Sequence, residues 1–564
     1  MQVGNIFKYF LPIPLAAVTI TTNICFSEAT MKPKKKICVV GCGIAGLTTA
    51  VFLAREGNEV VCFEACGKVA QESSFLNGSL ICPSLTSPWS NPTTLRYVLS
   101  TCFPLLGKST DLQTTIIDWK SVIFDVSFWH WLFHFMKSSI FERNVMDGYH
   151  ASHQLSLFSK ECMEQLYSAE NGIEYTPGVA VGSLQIFGDE SRRISSFRST
   201  NPVVLGLQSI SAEDLHRVEP ALASHVGTGG AIVSYNDTSG DIEEYCQALR
   251  KHAEDLGVVF HMNATVNAAS LESMRHSEVS DNYDIQKTRI IRYVNITSSI
   301  PRAASGAADT AQVTRWREYA DVFVVASGNG ANDLSEWAGD GVLHWPMKGY
   351  ALEVPIGHSY RERDTRDGGS GLAKPLLQHL IADDLEKVYI APLDNCRVRI
   401  SGIVDVGPRS QFSCRSISVE PTPHTAEGDV SATEEEGRVT DTDRARAMRL
   451  LDKARQILPD GYLAPSNSPD IRIRVCYRPQ TSDDLPVIGQ SSHYSNLYYN
   501  CGHGHLGWTR ATGSSRLLTD IIMQEQLGTA SVDGMGFQMT IPQVPTAAHL
   551  PGVDCGVFSP SRFR

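Results

Sequence analysis

The 564-residue sequence has no Cys-x-x-Cys pair, although it has 14 cysteines. Scattered cysteines, several of them in apolar stretches, indicate a reducing compartment rather than a disulfide-stabilised scaffold. The sequence also lacks an excess of basic residues. It has 49 Lys and Arg and 61 Asp and Glu, which gives a net charge of −12. Because phosphate backbones are bound by clustered cations, the sequence predicts no nucleic-acid partner.

Long hydrophobic runs are lacking except near the N-terminus, where residues 6–27 are apolar with a single lysine. This run is long enough for a signal sequence or a marginal membrane anchor, although Pro12 and Pro14 weaken a spanning helix. We therefore expect residues 1–33 to be a hydrophobic leader or anchor that directs the protein to a membrane or to an organelle, mitochondrial or secretory. The alternative is an extension upstream of Met31, which could serve as the start, and a cytoplasmic location.

A glycine-rich turn joins a predicted strand to a predicted helix within residues 35–64. Gly41 allows the tight turn, Gly43 lets the backbone approach a pyrophosphate, and Gly46 lets the helix pack close to the strand. The helix N-terminus offers free N–H groups to phosphates, and Glu64 at the end of the next strand can accept hydrogen bonds from a ribose. The complete unit predicts a dinucleotide site; the alternative is a glycine-rich turn without a ligand.

A second glycine-rich loop, Tyr499–Thr509, opens a predicted helix through Ile522. Nicotinamide dehydrogenases have no need of this loop. A flavin does need such a loop, because a helix N-terminus can stabilise the negative charge of the reduced ring by about 0.3–2 kcal/mol. The two loops together predict FAD rather than NAD.

Further motifs, in the same order along the chain, resemble those of the FAD-dependent D-amino acid oxidase superfamily, and most closely the D-amino acid dehydrogenase small-subunit group. Besides the two loops, the matching stretches are Glu72–Gly78, Val218–Leu222, Asn236–Asp241, Trp345–Tyr350, Arg478–Gly489 and Phe558–Phe563. The resemblance covers about residues 35–530 and the last few positions.

The resemblance implies an α/β fold of two domains, in which a Rossmann-type FAD-binding domain is interleaved with an α+β substrate domain built on an antiparallel sheet. The FAD-binding domain is expected at 35–110, 210–335 and 470–530, and the substrate domain at 111–209 and 336–469. Residues 413–440, rich in Ser, Thr, Glu and Pro, are predicted to form a disordered insertion, and 531–564 a C-terminal tail.

Positions that match the family motifs are expected to bind FAD. They are Gly41, Gly43, Ile44, Ala45, Gly46, Glu64, Ser73, Ser74, Asn77, Gly78, Val266, Ala326, Gly328, Gly502, His503, Gly504, Gly507, Trp508 and Thr509. Where the family often has Asn-Ala/Gly-Gly-Gln, this chain has Asn77-Gly78-Ser79-Leu80, which leaves one expected polar flavin contact unmatched. No cysteine or histidine of the kind that the family uses for covalent flavin attachment is evident, so FAD is expected to be bound non-covalently.

The resemblance also implies that hydride passes from the substrate Cα to FAD, and that the imino acid hydrolyses to a 2-oxo acid and ammonia. Arg478, in an R-P-x-T-x-D segment, would bind the substrate carboxylate through two parallel hydrogen bonds, a geometry that guanidinium provides. The alternative for Arg478 is a structural salt bridge. Tyr350 and Lys348, from a Lys-Gly-Tyr segment, are expected on the substrate side.

The resemblance thus implies a D-amino acid dehydrogenase that passes electrons to a quinone-type or other acceptor, such as an electron-transfer protein. Two alternatives remain open at this point. One is an oxidase of glycine- or sarcosine-like amines that uses O₂, and the other is an assembly factor that keeps the flavin without turnover.

Residues 121–136 contain six aromatic side chains. On a helix these would cover most of the circumference, which predicts either packing in a core or contact with lipid. His130 and His134 are spaced i, i+4, but they have no nearby cysteine or acidic partner, and no metal site is predicted.

Overall fold

The computed structural model describes residues 34–75, 77–102, 115–168, 172–175, 180–200, 205–267, 272–275, 289–300, 312–342, 344–361, 376–409, 417–419, 440–528 and 550–563. The predicted leader at 1–33 lies outside these residues. Within them, no helix is both long and apolar enough to cross a bilayer.

The strands are β1 (Lys36–Val40), β2 (Glu59–Phe63), β3 (Leu80–Ile81), β4 (Thr115–Ile117), β5 (Ser183–Phe187), β6 (Leu207–Ile210), β7 (Gly230–Ser234), β8 (Thr238–Ser239), β9 (Val259–His261), β10 (Ala264–Val266), β11 (Glu272–Arg275), β12 (Arg289–Ile300), β13 (Gln312–Tyr319), β14 (Val322–Val325), β15 (His344–Pro355), β16 (Leu380–Asp383), β17 (Tyr389–Pro392), β18 (Arg397–Val406), β19 (Ile417–Val419), β20 (Arg472–Thr481), β21 (Val487–Gln490) and β22 (Leu497–Cys501).

The α-helices are α1 (Ile44–Arg55), α2 (Pro92–Cys102), α3 (Trp119–Val122), α4 (Val126–Ile140), α5 (Glu142–Ser168), α6 (Glu190–Ser199), α7 (Ala212–Val218), α8 (Ile242–Asp255), α9 (Ala331–Ala338), α10 (His358–Arg361), α11 (Asp441–Ile457) and α12 (Gly507–Gly528). Short 3₁₀ turns lie at Pro83–Leu85, Gly328–Gly330, Gly504–Leu506, Cys555–Phe558 and Pro560–Phe563.

A six-stranded sheet in the order β21-β22-β14-β1-β2-β9 carries the N-terminal glycine turn. Its strands run parallel except β21, which is antiparallel to β22. Side chains of β1 alternate between two cores. Ile37 and Val39 pack with α1, α8 and α12, and Cys38 and Val40 pack with the smaller sheet formed by β10–β13. Because both faces of the sheet are buried, the sequences of these strands are continuous apolar runs.

A second, mixed sheet runs in the order β19-β20-β15-β18-β17-β16-β5-β7-β6, with β4 paired to β18. Most of its pairs are antiparallel, and α11 covers one face with Ala447, Leu450 and Leu451. The Rossmann-type sheet and this largely antiparallel sheet confirm the predicted fold class.

Chain segments enter the two sheets at points that differ from the predicted ranges. Strands β7 and β20 belong to the second sheet, although they fall within 210–335 and 470–530. Helix α5, in the range expected for the substrate domain, packs Leu155 and Leu166 into the core of α1 and α12. Hydrophobic periodicity identifies such elements but does not specify which sheet they join.

Two predicted terminal or inserted segments are partly described. Within 413–440, Ile417–Val419 forms a strand antiparallel to β20, and the other residues of 413–439 lie outside the described part of the chain. In the tail, Arg562 binds the Asp483 carboxylate at 2.6 Å and the Leu485 carbonyl at 2.7 Å. The end of the chain is therefore fixed against the segment that follows β20.

Candidate active site

A cavity of about 650 Å³ opens where the two sheets meet. Its walls come from the β1–α1 turn, the end of β2, the loop at 70–77, β10, the end of β14, β20 and the loop before α12. Predicted residues that line it are Gly41, Gly43, Ile44, Ala45, Glu64, Ser73, Ser74, Asn77, Val266, Ala326, Gly328, Arg478, Gly502, His503, Gly504, Gly507 and Trp508. Folding thus brings together positions that lie more than 400 residues apart in sequence.

The glycines of the first turn leave no room for side chains. Gly41 has φ +97°, and a Cβ there would lie 2.6 Å from the Ala326 carbonyl oxygen. A Cβ on Gly46 would lie 1.9 Å from the Gly41 carbonyl oxygen, so α1 packs directly on the turn. Both positions therefore require glycine, the first for its backbone conformation and the second for close packing.

Helix α1 begins at the cavity without a side-chain cap. The Ile44 N–H donates to Ser74 Oγ at 3.0 Å, while Ala45 also borders the cavity. First-turn N–H groups and the positive end of the helix dipole suit a phosphate group at this point.

Glu64 lies at the end of β2, and both of its carboxylate oxygens are already oriented. Oε2 accepts from the Cys42 N–H at 2.7 Å and Oε1 accepts from the Cys66 N–H at 2.9 Å. Burial raises the pKa of Glu64, while these backbone hydrogen bonds act in the opposite direction. A carboxylate oxygen has further lone pairs, so Glu64 can also accept from ribose hydroxyls in the cavity.

Buried polar atoms of the cavity wall test whether a ligand fits. Four residues that line the cavity each have a buried polar side-chain atom without a hydrogen-bond partner among the described residues: Ser327 Oγ, Asn500 Oδ1, His505 Nδ1 and Trp508 Nε1. Unsatisfied buried groups cost free energy, and a bound polar group would satisfy them. Together with the helix N-terminus and Glu64, these atoms fit a dinucleotide with a polar ring system.

Arg478 is half-buried on β20 and borders the cavity. It pairs with Met347 of β15, and its guanidinium lies over Gly349, where a Cβ would come within 2.6 Å of Arg478 Cζ. No carboxylate in the described part of the chain forms an ion pair with it, although the neighbouring Cys476 thiol is in contact. The guanidinium is therefore available to an anionic group in the cavity.

Lys348 and Tyr350 do not border the cavity. Lys348 Nζ lies 2.6 Å from Asp443 Oδ1 at the start of α11, and the Tyr350 hydroxyl donates to Asp405 at 2.8 Å. Because side chains alternate along β15, these two residues face α11, whereas Met347 and Gly349 face the same way as Arg478. We therefore leave Lys348 and Tyr350 out of the proposed substrate site.

Three residues that were predicted to bind FAD lie behind the residues that line the cavity. Gly46 packs α1 on the turn, and Gly78 makes room for Ser401, whose Oγ would lie 2.5 Å from a Cβ at that position. Thr509 Oγ1 accepts from the Cys82 N–H at 3.1 Å and donates to the Leu80 carbonyl at 3.3 Å. These contacts hold β3 against the start of α12.

His505, which was not predicted, borders the cavity close to Asp484 and Trp89. Its Nδ1 lies 3.8 Å from Asp484 Oδ1, and its ring centroid lies 5.9 Å from that of Trp89. Burial lowers the pKa of His505 to about 4, although Asp484 acts in the opposite direction, and the imidazole is neutral at pH 7. The only indication of this pairing in the sequence is the position of His505 in the glycine loop.

Comparison with known proteins gives a match to a family model and to curated relatives along most of the chain. The family described as DAO, FAD dependent oxidoreductase, matches residues 36–521. A D-amino acid dehydrogenase from Paramagnetospirillum magneticum is 26% identical over 505 residues, which cover 89% of this chain and 98% of that protein.

Solved structures share the fold at lower identity. Glycine oxidase from Geobacillus kaustophilus has a TM-score of 0.53 at 17% identity, covering 94% of this chain and 99% of its own. L-amino acid deaminase from Proteus myxofaciens has a TM-score of 0.53 at 13% identity, covering 94% of each chain. The predicted family resemblance and the FAD cofactor are confirmed. The chain belongs to the DAO family of FAD-dependent oxidoreductases.

Proposed function

We propose that this FAD-dependent amino acid or amine oxidoreductase acts on D-amino acids and delivers the electrons to an acceptor other than O₂, such as a quinone. The observation that carries the proposal is the guanidinium of Arg478 at the cavity, which forms no ion pair with a carboxylate of the described residues, since an α-amino acid needs a fixed cation for its carboxylate. The similarity to a D-amino acid dehydrogenase over most of both chains supports the choice of substrate class.

Bound FAD supplies a two-electron acceptor for the hydride on the substrate Cα. The protein's own contribution is then binding and orientation. Arg478 holds the carboxylate through two parallel hydrogen bonds, which fixes the remaining Cα substituents relative to the cavity wall. Neutral His505 presents a ring nitrogen that can accept a hydrogen bond from the substrate amine, and it brings no positive charge beside Arg478.

The proposal is tested by mixing the purified FAD-bound protein anaerobically with matched pairs of D- and L-amino acids and following the flavin absorbance band. We expect D-amino acids to bleach the band and their L-enantiomers to leave it unchanged. Bleaching by L-amino acids or only by glycine and sarcosine would replace the substrate assignment. A flavin that no amine reduces would indicate the non-catalytic alternative.

The acceptor is tested separately with the substrate that bleaches best. Reduction of a quinone analogue or dye should be much faster than production of hydrogen peroxide in air. Equal rates would identify an oxidase.

A further inference from the structure

Asp484 has an unusual backbone conformation for a buried acidic residue. Its φ is +64°, in the left-handed region where residues other than glycine are uncommon, and its side chain is 1% exposed. Residues in such conformations cluster at functional sites, where the surrounding structure holds them in place. A glycine would relieve the strain, so the carboxylate is what this position gains from aspartate.

Hydrogen-bond donors hold the Asp484 carboxylate in one orientation. Oδ2 accepts from the Trp89 N–H at 3.0 Å, and Oδ1 accepts from Gln480 Nε2. Arg510 donates to the main-chain carbonyl of Asp484 at 2.7 Å, and no lysine or arginine nitrogen of the described residues lies within ion-pair distance of the carboxylate. Oδ1 therefore keeps its negative charge and a further lone pair on the side of His505, whose Nδ1 lies 3.8 Å away.

The two ring nitrogens of His505 have different surroundings. Nδ1 is buried beside Asp484, whereas 24% of the side chain is exposed and the residue lines the cavity. Nε2 is therefore the ring nitrogen that a ligand can reach. Since a proton on Nδ1 faces the carboxylate more favourably than a lone pair does, the lone pair of the neutral ring lies on Nε2.

Charged groups around His505 keep this ring neutral. Burial lowers the pKa of His505 to about 4, and Arg510 and Arg478 act in the same direction, while Asp484 acts against them. Arg478 is thus close enough to His505 to affect its charge, and both residues line the same cavity. Arg478 offers only hydrogen-bond donors and Nε2 offers an acceptor. An α-amino acid requires this combination, because it has a carboxylate and an amino group on one carbon atom.

From these observations, and resting on the function proposed above, we propose that Asp484 is a positioning residue for His505. Its carboxylate holds the imidazole as the tautomer with the proton on Nδ1. Nε2 then accepts a hydrogen bond from the amino group of a substrate whose carboxylate is bound by Arg478. The contact of 3.8 Å shortens to a hydrogen bond when substrate binds, since such contacts are often long in an unliganded site.

The test uses the full-length FAD-bound protein and the D-amino acid that reduces the flavin fastest. Asp484→Asn is the main variant, because asparagine tolerates the left-handed backbone and its amide can donate to Nδ1, which favours the opposite tautomer. We expect the rate of anaerobic flavin reduction at saturating substrate to fall by about 10- to 100-fold, the size expected for loss of a hydrogen bond to a charged group.

A ligand without an amino group separates positioning from general damage to the cavity. The carboxylic acid with the same side chain as the substrate (propionate, if D-alanine is used) should bind Asp484→Asn within about twofold of wild type, because Arg478 is unchanged. Its dissociation constant is measured from the change in flavin absorbance. A disordered cavity would weaken binding of this acid as well.

Asp483→Asn is the matched control, since it removes the neighbouring carboxylate, which binds Arg562 at 2.6 Å. It should lower the melting temperature and leave the reduction rate within about threefold of wild type. Asp484→Gly repeats the main test with a relaxed backbone, so a folding defect of the asparagine variant does not decide the outcome.

A double-mutant cycle tests whether Asp484 acts through His505. His505→Phe keeps a ring beside Trp89 and removes both nitrogens. Asp484→Asn should lower the reduction rate of this variant by less than about threefold further, because the group that it positions is already lost. A full 10- to 100-fold further loss would overturn the proposal and assign the effect to the contacts of Asp484 with Trp89 and Gln480.

The proposed function and the role of Asp484 fail in different ways. If D-amino acids reduce the wild-type flavin and Asp484→Asn reacts as fast as wild type, the positioning role alone is overturned. If no amine reduces the wild-type flavin, the function and the role are both overturned. If L-amino acids reduce it instead, the substrate assignment is replaced, and the same comparisons made with the L-enantiomer decide the role of Asp484.

Discussion

Arg478 and Gly349 form a matched pair across β15 and β20. The guanidinium of Arg478 occupies the space above Gly349, and a methyl group there would lie 2.6 Å from Cζ and 2.7 Å from Nη2. The neighbouring strand thus defines the position of the one cation that we assign to the substrate carboxylate. Glycine is needed at position 349 for the geometry of Arg478, since its own φ lies outside the left-handed region.

Gly349→Ala should lower kcat/KM by about 10- to 100-fold, because the guanidinium must move and misplacing a binding group by an ångström has effects of this size. FAD binding and the melting temperature should change little, since the displaced atoms are the end of a flexible side chain. Gly188→Ala is the matched control, because a Cβ there meets nothing within 4 Å. Steady-state kinetics of both variants test this prediction, and equal kcat/KM values for the two variants would contradict the pairing of Arg478 with Gly349.

Arg478→Met should lower kcat/KM by about 30- to 1000-fold with FAD still bound, given that loss of one partner of a buried charge pair costs about 2–4 kcal/mol. Arg478→Lys should recover only part of the loss, because an ammonium group cannot form two parallel hydrogen bonds. The control is Arg217→Met, which removes an exposed arginine paired with Glu213 and Asp214. Near-normal turnover of Arg478→Met would refute the role given to this residue.

Tyr350→Phe distinguishes the two faces of β15. The Tyr350 hydroxyl lies 2.8 Å from an Asp405 carboxylate oxygen, to which it donates, and 3.2 Å from an Asp443 carboxylate oxygen. Removing it leaves the two carboxylates facing each other without that proton, so the unfolding free energy should fall by about 1–3 kcal/mol. The value of kcat/KM should remain within about threefold of wild type, because the side chain faces α11 and not the cavity. A large kinetic loss with unchanged stability would return Tyr350 to the substrate site.

Glu64→Ala should raise the FAD dissociation constant by about 10- to 100-fold, since the carboxylate orients the turn through Cys42 and can accept from the ribose. Flavin fluorescence during titration of the apoprotein measures this constant. Glu59→Ala, on the exposed start of the same strand, should bind FAD like wild type. A Glu64→Ala protein that retains wild-type affinity would mean that other groups alone hold the adenosine half.

Glu353 should control stability at low pH. Burial raises its pKa, but Arg399, Arg397 and Arg474 outweigh that effect and lower the pKa to about 2, with Glu353–arginine distances of 2.7–3.1 Å. A folded-state pKa below the usual value of 4.5 contributes stability that is fully present above about pH 4.5 and is lost as the pH falls toward 2.

Glu353→Gln should therefore lower the unfolding free energy by about 3–5 kcal/mol at pH 7, because it leaves buried Arg399 and Arg474 without their carboxylate. The variant should also lose the part of the pH dependence that lies between pH 4.5 and 2. Urea unfolding of the FAD-bound protein at several pH values measures both effects. Glu213→Gln, in an exposed pair with Arg217, should change stability by less than about 1 kcal/mol.

Local sequence patterns were sufficient to predict those parts of the fold that are determined by residues close together in the sequence. The turn from β1 through Gly41 and Gly46 to α1 and Glu64 depends on backbone freedom and close packing within some thirty residues, and the structure has each of these elements. The glycine loop before α12 is a similar case. Sequence patterns could not place Lys348 and Tyr350 relative to the cavity. The alternation of side chains along a strand shows that two residues share a face of the sheet, but it does not specify which face borders the cavity.

The sequence by itself determined the dinucleotide turn and the second glycine loop, from which FAD was predicted, because both follow from residue types at short, fixed spacings. The choice of Arg478 came from the family resemblance, and its role stays a proposal. Only the tertiary structure decided that Arg478 lies over Gly349, that His505 lies beside Asp484, and that half of the α4 aromatic segment is exposed. The physical reason is that strand register and helix docking join segments far apart in the chain, and the free energy that selects them comes from packing over whole faces rather than from any local motif.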